Sequence, residues 1–425
     1  MLDLKFIRQF PDAVRAGAKK KRIVCDVDQI LRLDEQARAR GVEIDQLRAE
    51  QNTLGAQVAK APAAEKKALL ERLAAIKAQH NTLETAHREQ ELELQKLLLR
   101  VPNVPADAVP EGKDDSENVV ISHWGEPRKF DFAVRDHVAL AEAQGWLDIE
   151  RAARLSGSRN YVLKGDLSLL EGAAMRFALD LMVGRGFVPL SVPTLVRNEI
   201  MVGTGYFPGG EDQAYRCDER DDLCLVGTAE VPVTALHMDE ILKLEELPRR
   251  YVAQSSCYRR EAGAAGKDTR GLYRVHQFQK VEQVVIDIAD PARSLEHHQS
   301  ILKNSEDLLQ ALELPYRVVN VCGGDLGAPQ IQKFDIETWM PSRGGYGETH
   351  SASRFHEYQA RRLNLRYRDE SGKVRFCHTL NNTVAASARI LIALLENHQN
   401  ADGTVRLPPI LVPYMGGRKA LGRAL

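Results

Sequence analysis

Residues 27–100 carry the apolar pattern of two long helices. They are rich in Ala, Glu, Gln, Leu, Lys and Arg, which are strong helix formers, and contain almost no proline or aromatic residue. Apolar side chains recur at alternating spacings of three and four in both halves, and Pro62 interrupts the pattern between them. The pattern predicts an antiparallel hairpin of two helices, each about 50 Å long at roughly 1.5 Å per residue. The predicted seam consists of Leu33, Ala37, Ile44, Leu47, Leu54 and Val58, with Arg40 and Gln51 in its gaps, and of Leu69, Leu73, Ile76, Leu83, Leu94 and Leu97, with His80, His87 and Gln90 in its gaps.

The hairpin has two interpretations that periodicity does not separate. It buries only one stripe of each helix, so core packing alone does not account for its length. A coiled coil for dimerisation and a projecting arm that binds a partner both fit, and the polar seam positions suit either.

The hairpin pattern ends at residues 101–119, VPNVPADAVPEGKDDSENV, where three prolines precede an acidic run. Beyond it, β-branched and aromatic alternation is mixed with shorter helices, as in FVPLSVPTLV, YRVVNV and RILIALLENHQ. Strands are not regularly followed by crossover helices, which favours an α+β fold with a largely antiparallel sheet. We predict an N-terminal domain over residues 1–110, with its arm at about 27–100, and a second domain over residues 111–425.

Composition narrows the class of protein only slightly. The chain has 425 residues, enough for two cores, and its net charge of -1 argues against a uniformly basic nucleic-acid binder while leaving room for a local patch. Its six cysteines include no C-x-x-C pair, so neither a disulfide framework nor a structural zinc site is expected. We find no secretory signal and no apolar run of the roughly 20 residues that a membrane span needs. A cytoplasmic protein without a membrane partner is expected.

Charged residues are concentrated in residues 258–282, YRREAGAAGKDTRGLYRVHQFQKVE. If Arg259 and Glu261 lie on one strand, as the pattern suggests, the strand period of two places both on the same face. A returning strand over Leu272 to Ile286 would place Arg274, His276, Phe278, Lys280 and Glu282 on one face.

The loop between these strands, AGAAGKDTRG, could close over an anionic ligand. It is not a phosphate-binding P-loop, because only two residues separate its glycines before the lysine and Asp268 follows. A solvated edge with incidental ion pairs is the structural alternative for this hairpin.

Three further segments have the same polar character. They are LVGTAEVPV, with Thr228 and Glu230; GYGETHSASRF, with Glu348 and Ser351; and NNTVAASARILIALLEN, which would set Thr383 and Arg389 near the start of an apolar helix. Taken singly, each also fits a helix start, turn chemistry or a local ion pair.

Together these segments resemble the seryl-tRNA synthetases, of the class II aminoacyl-tRNA synthetases, over essentially the whole chain. GFVPLSVPTLV resembles motif 1, with Pro193 as its proline, and YRRE with HQFQKVE resembles motif 2. NNTVAASARILIALLENHQ resembles motif 3, TAE resembles the family's serine-site signature, and the helical hairpin resembles its tRNA-binding arm. The chain departs from the family where ETHSASRF replaces the common EISS followed by SN, so that Arg354 stands in place of the usual Asn.

The resemblance implies activation of L-serine with ATP and Mg²⁺, followed by transfer to tRNA(Ser), and also to tRNA(Sec). Motif 1 implies a homodimer. The implied catalytic residues are Arg259 and Arg389. The implied ATP-binding residues are Arg259, Arg260, Glu261, Val275, Phe278, Glu348, Thr349, His350, Ser351 and Arg389, of which Glu348 and Ser351 would bind Mg²⁺. The implied serine-binding residues are Thr228, Ala229, Glu230, Arg259, Glu282 and Thr383.

Three rival functions remain at this point. A threonyl or prolyl synthetase is opposed by TAE, Glu282 and the helical arm. A non-catalytic paralogue that uses the fold as a scaffold is opposed by the joint presence of Arg259, Glu348 and Arg389 with the other charged site residues. A carrier-protein ligase is opposed by the long arm.

Overall fold

A computed structural model describes residues 1–218, 220–263 and 270–425. Within it the chain folds into two compact units. The smaller unit comprises Leu2–Lys19 and Ile23–Pro102, and the larger comprises Met1, Lys20–Arg22 and Asn103–Leu425.

The smaller unit is helical. Its helices are α1 (Leu4–Gln9), α2 (Pro11–Lys20), α3 (Val27–Lys60) and α4 (Ala63–Leu98). The Asp26 side chain accepts a hydrogen bond from the Gln29 amide and caps the start of α3. Helices α3 and α4 confirm the predicted hairpin, and the break falls at residues 61 and 62 as expected.

The seam between α3 and α4 combines apolar packing with polar bridges. Leu47, Leu54 and Ile76 form its buried apolar cluster. At two predicted polar gaps the side chains bond to the opposite helix: Arg40 donates to the carbonyl of Ala86 at 2.8 Å, and Gln90 to that of Leu33 at 3.2 Å. These pairs confirm that the helices run antiparallel. At the end of α4 the prediction was wrong by one residue, because Leu98 rather than Leu97 is buried.

The larger unit combines helices and strands. Its helices are α5 (His137–Ala143), α6 (Ile149–Ser156), α7 (Asp166–Gly184), α8 (Asn198–Thr204), α9 (Glu230–Thr234), α10 (Pro291–Ala311), α11 (Tyr358–Arg362) and α12 (Ser387–His398). Its strands are β1 (Val119–Trp124), β2 (Leu147–Asp148), β3 (Val162–Leu163), β4 (Val188–Leu190), β5 (Leu195–Arg197), β6 (Tyr215–Arg216), β7 (Leu223–Leu225), β8 (Ile241–Leu242), β9 (Arg249–Tyr258), β10 (Gln277–Asp287), β11 (Tyr316–Asn320), β12 (Gln332–Met340), β13 (Gly345–His356), β14 (Arg366–Arg368), β15 (Val374–Phe376), β16 (His378–Ala386), β17 (Val405–Arg406) and β18 (Ala420–Leu421).

Eight of these strands form one sheet with the order β1-β11-β12-β13-β16-β10-β9-β4. Neighbouring strands are antiparallel except β4 and β9, which are parallel. The predicted α+β fold with a largely antiparallel sheet is therefore confirmed.

Alternation along β10 separates its two faces. Val281 and Val285 enter the main core, which also takes in the apolar residues of α7 and α12. Val284 and Ile286 enter a second core together with Leu363, just beyond α11. Full burial of each such side chain contributes roughly 1.5–3 kcal/mol. Strand β10 is therefore paired on both sides, with β9 and β16, and packed on both faces, which fixes the backbone positions of its polar residues.

Lys21 belongs to the larger unit and is 3% exposed. Its ammonium group donates to the carbonyls of Gly327 at 3.0 Å and Ala328 at 2.9 Å, and also to the carbonyl of Gln330. Three acceptors match the three protons of an ammonium group. Burial holds the pKa of Lys21 well below its ordinary value.

All six cysteines are free. In the part of the chain that the structure describes, no helix is both long and apolar enough to cross a membrane.

Candidate active site

Two adjoining cavities lie against the central strands β10, β13 and β16 and the segment that follows β9. The larger has a volume of about 580 Å³ and the smaller about 140 Å³. Both are lined by Tyr206, Arg259, Glu261, Glu348 and Arg389. Four of these five residues are charged, so the cavities share a polar wall.

Arg259 and Glu261 lie beyond the end of β9, and the prediction that they share a strand was wrong. Strand β9 ends at Tyr258, and Glu261 has a φ of 51°, a left-handed conformation that cannot continue a strand. Glu261 accepts from the guanidinium of Arg274 at 3.2 Å. The Arg259 guanidinium lies 5.4 Å from the centre of the Phe278 ring. The turn therefore directs both side chains into the cavities.

The returning strand begins at Gln277 rather than at Leu272. Inside the strand the predicted alternation is confirmed, because Phe278, Lys280 and Glu282 all line the smaller cavity. Val275, which precedes the strand, lines the same cavity. The predicted loop over an anionic ligand falls largely on residues 264–269, which lie outside the described residues.

Glu230 is buried at the first position of helix α9, and its amide donates to the Thr228 hydroxyl at 3.1 Å. One carboxylate oxygen of Glu230 accepts from the Tyr206 hydroxyl at 2.8 Å and the other from the Gln359 amide at 2.9 Å. Burial, with Glu282 nearby, raises the pKa of Glu230 to about 7. Glu230 lines the smaller cavity, whereas Thr228 and Ala229 line neither cavity.

Glu282, Lys280 and Thr383 form a buried polar group on neighbouring strands. Glu282 pairs with Thr383 in the β10–β16 register, and the Thr383 hydroxyl donates to the Glu282 carboxylate at 3.3 Å. The Lys280 ammonium forms an ion pair with Glu282. Thr383 thus lies on β16, which ends at Ala386 just before α12 begins at Ser387.

Strand β13 carries Glu348, Thr349, His350 and Ser351, which all line the smaller cavity. The β12–β13 register shifts beside Glu348, opposite residues 336 and 337. The Thr349 hydroxyl is already bonded within the sheet, 2.7 Å from the Thr338 hydroxyl. Burial lowers the pKa of His350 to about 4, so its imidazole is neutral near pH 7.

Arg389 lies in the first turn of α12 and crosses to β13. Its guanidinium donates to the Glu348 carbonyl at 2.9 Å and lies 3.3 Å from the Glu348 carboxylate. It also lies 4.6 Å from the centre of the Tyr273 ring. Burial acts to raise the pKa of Glu348, but the cations of Arg389 and Lys333 hold it below its ordinary value.

Four predicted residues line neither cavity: Arg260 and Pro193, in addition to Thr228 and Ala229. Arg260 is exposed and lines neither of them, although its amide donates to the Gln213 carbonyl at 3.0 Å. Pro193 is also exposed, between β4 and β5.

Sequence reasoning assigned no role to several residues that the structure places at the site. Tyr206, Gln330 and Asn381 line the smaller cavity, and Gln359 bonds to Glu230 from outside it. For Lys280 the pattern predicted the correct face of the strand but no function. For Tyr206, Gln330 and Gln359 the sequence offers no motif, only a polar side chain. No group of three His, Cys, Asp or Glu side chains among residues 1–218, 220–263 and 270–425 is arranged to hold a metal ion.

The chain is similar to known proteins over its whole length. Residues 1–105 match the family model of the seryl-tRNA synthetase N-terminal domain, and residues 215–398 match that of the class II tRNA synthetase core domain for G, H, P, S and T. A serine–tRNA ligase of Deinococcus radiodurans is 50% identical over 423 residues, covering 100% of this chain and 99% of that protein. The crystal structure of the Pyrococcus horikoshii seryl-tRNA synthetase complexed with ATP has a TM-score of 0.92 at 39% identity, with 100% of both chains covered. The M. kandleri enzyme, solved with A. aeolicus tRNASec, has a TM-score of 0.58 at 19% identity over 84% of this chain and 70% of that one, and shows a shared fold.

Proposed function

The chain belongs to the seryl-tRNA synthetases, class II enzymes that ligate serine to tRNA with ATP as a substrate, and from this premise we propose how its residues divide the work. In the first step, the serine carboxylate attacks the α-phosphorus of ATP, which yields seryl-adenylate and pyrophosphate. In the second, a terminal ribose hydroxyl of tRNA takes the seryl group and AMP leaves. Because negative charge concentrates where carboxylate meets phosphate, the first step needs fixed cations and alignment more than a general base.

One observation carries the proposal: two guanidinium groups and two buried carboxylates line adjoining cavities. Arg259 and Arg389 line both, and Glu230 and Glu282 line the smaller. Arg259 contacts the α-phosphate and the serine carboxylate, because its planar donors can bridge two anions. Arg389 holds the γ-phosphate end.

The adenine lies against Phe278, with Arg389 on its other face and the backbone at Val275 beside it. Glu261 accepts from the adenine amino group. Its carboxylate is held by Arg274 at 3.2 Å, which leaves oxygen lone pairs available for a second donor. Arg260, Thr349 and His350 complete the ATP set, and Thr349 contacts the nucleotide through atoms other than its hydroxyl, which is engaged with Thr338.

Magnesium suits the oxygen donors on β13. Glu348 offers a carboxylate of lowered pKa and Ser351 a hydroxyl, and both line the smaller cavity. Mg²⁺ prefers such hard ligands together with substrate phosphates and water, and Glu348 and Ser351 would hold it where it would neutralise phosphate charge.

Serine is selected by pairing and by size. Glu230 and Glu282 face its ammonium and hydroxyl groups, with Thr383 beside them and the Thr228–Ala229 segment supporting Glu230. Alanine would leave these buried polar groups unpaired, a penalty that can reach about 10⁴-fold. Threonine carries an extra methyl group and is excluded by size.

The test is exchange of labelled pyrophosphate into ATP with Mg²⁺ and each standard amino acid, without tRNA. We expect exchange with serine alone. Glu282→Gln keeps the side-chain shape but removes the charge, and should lower kcat/KM for serine by about a hundredfold. The matched control Glu313→Gln alters an exposed carboxylate paired with Arg406 and should retain activity.

Exchange with another amino acid would contradict the serine-pocket assignment. No exchange with any amino acid would contradict the catalytic proposal and favour a non-catalytic paralogue. Unchanged serine kinetics in Glu282→Gln would remove that residue from the site.

We propose that the α3–α4 hairpin binds tRNA along its backbone and long variable arm. Residues 1–110 carry 19 Lys and Arg against 16 Asp and Glu, so docking depends on the placement of charges more than on their sum. Both tRNA(Ser) and tRNA(Sec) are proposed substrates, and charging of the two transcripts side by side distinguishes them.

A homodimer and a cytoplasmic location complete the proposal. Val188 and Leu195 flank Pro193 and are 52% and 45% exposed, which supports a protein interface at this segment. Sedimentation analysis measures the oligomer, and a monomer at micromolar concentration would contradict it. The six free thiols support a reducing compartment.

A further inference from the structure

Gln359 lies on α11 and is fully buried. Its amide nitrogen donates to the Glu230 carboxylate at 2.9 Å and to the Thr204 carbonyl at 3.0 Å. Its amide oxygen accepts from the Thr379 hydroxyl at 2.6 Å. Both amide hydrogens and the amide oxygen of Gln359 are therefore hydrogen-bonded. Through this one amide Glu230 is connected to Thr204 on α8 and to Thr379 on β16.

The network fixes the orientation of the amide. If the amide were reversed, its oxygen would face the Glu230 carboxylate and the Thr204 carbonyl, and three acceptors would meet without a donor. Thr204 and Thr379 are 1% and 0% exposed, so water would not replace the missing bonds. The observed arrangement is the one in which every group is paired.

Glu230 is held from two sides. Gln359 bonds to one carboxylate oxygen and Tyr206 to the other, at 2.9 and 2.8 Å. Since Glu230 opens a helix of only five residues, its backbone offers limited support, and the two side chains set the plane of the carboxylate at the cavity wall.

We propose that Gln359 is a positioning residue for serine recognition, which acts by fixing the Glu230 carboxylate toward the amino-acid substrate. This inference rests on the proposed function, because it takes Glu230 to be a serine contact. Gln359 lines neither cavity and does not itself touch serine.

The experiment measures serine and ATP kinetics in pyrophosphate exchange for the full-length wild type, Gln359→Met and Gln359→Glu. Gln359→Met removes all three hydrogen bonds at similar volume, and should raise the serine KM about tenfold while the ATP KM and kcat change less than about twofold. Gln359→Glu sets two carboxylates face to face, and should raise the serine KM more at pH 8 than at pH 6.5, where one shared proton restores a donor.

Gln399 provides a matched control. It is 1% exposed and equally bonded, since its amide nitrogen donates to the carbonyls of Arg135 at 2.9 Å and Glu396 at 3.1 Å, while its oxygen accepts from the Arg135 amide at 3.0 Å. It lines neither cavity. Gln399→Met should lower the melting temperature without changing the serine KM.

If Gln359→Met does not fold, Thr379→Val tests the same network through a smaller change. It removes the donor to the Gln359 oxygen and should raise the serine KM in the same direction by about threefold. A wild type that exchanges with serine establishes the proposed function separately. Given that result, an unchanged serine KM in the folded variants would overturn the positioning role alone, and a wild type inactive with serine would overturn both.

Discussion

At the residue scale, Glu230 changes charge within the range of ordinary assay buffers, because burial raises its pKa to about 7. A bound serine ammonium stabilises the carboxylate form, so serine binding should strengthen as the pH rises through this value. Between pH 6 and pH 8 we expect the serine KM to fall about tenfold, as measured by pyrophosphate exchange. Glu230→Gln should bind serine weakly and without this pH dependence. A serine KM in the wild type that is constant over the range would contradict the assignment.

The residue scale also shows where sequence reasoning was limited. Arg259, Glu282, Glu348 and Arg389 could be predicted because they lie in short charged motifs that resemble those of a known family. Gln359 was not, because its importance lies in three bonds to residues distant in sequence. A glutamine in a helix gives no such signal until the fold brings Thr204, Glu230 and Thr379 around it.

At the element scale, the hairpin offers a defined way to shorten the arm. Arg40 bonds to Ala86 across the seam, so replacing residues 41–85 with a short Gly/Ser loop should close the remaining hairpin. We expect serine-dependent pyrophosphate exchange to stay within about twofold of wild type, because the cavities belong to the larger unit. Charging of tRNA should fall by at least about a hundredfold, since the arm contacts would be lost. Replacing Arg48, whose charge pairs with Glu84 on the arm, by Lys is a mild control. Intact charging by the shortened protein would contradict a tRNA-binding arm.

Periodicity predicted the long helices well because the same spacing repeats through most of each helix, and the helices are 34 and 36 residues long. The ends of the strands in the β9–β10 hairpin were harder to predict. Its strands end at a turn where Glu261 adopts a left-handed conformation, and a period of two says nothing about where a strand stops. The predicted alternation of faces is correct inside β10, where both faces are packed. It is wrong for the residues before Gln277, because the strand begins only there.

At the scale of the whole molecule, buried histidines predict acid sensitivity. Burial lowers the pKa to about 3 for His356 and to about 4 for His298, His350, His378 and His398. In the unfolded chain these histidines have the ordinary pKa of about 6.5 and therefore bind protons at a pH where the folded protein does not. Protonation thus stabilises the unfolded chain as the pH falls from about 6.5 toward 4. The free energy of unfolding should therefore be undiminished above about pH 7 and fall below it, by at most about 1.4 kcal/mol per pH unit for each histidine.

Denaturant titrations at pH 7.5, 6.0 and 5.0 measure this slope. His298→Gln removes one imidazole while its amide can still donate to the Ala352 carbonyl, and should reduce the slope. His123→Gln, at an exposed position on β1, should not. Equal slopes in all three proteins would show that His298 does not contribute.

The three carbonyls around the Lys21 nitrogen are held by a donor that is part of the chain. The Lys21 side chain, unlike a dissolved ion, cannot dissociate from the protein or be exchanged for sodium. The loop that it holds includes Gln330, which bonds to Ser353 at 2.7 Å and lines the smaller cavity. Serine activation should consequently be indifferent to the choice between potassium and sodium salts, as measured by pyrophosphate exchange.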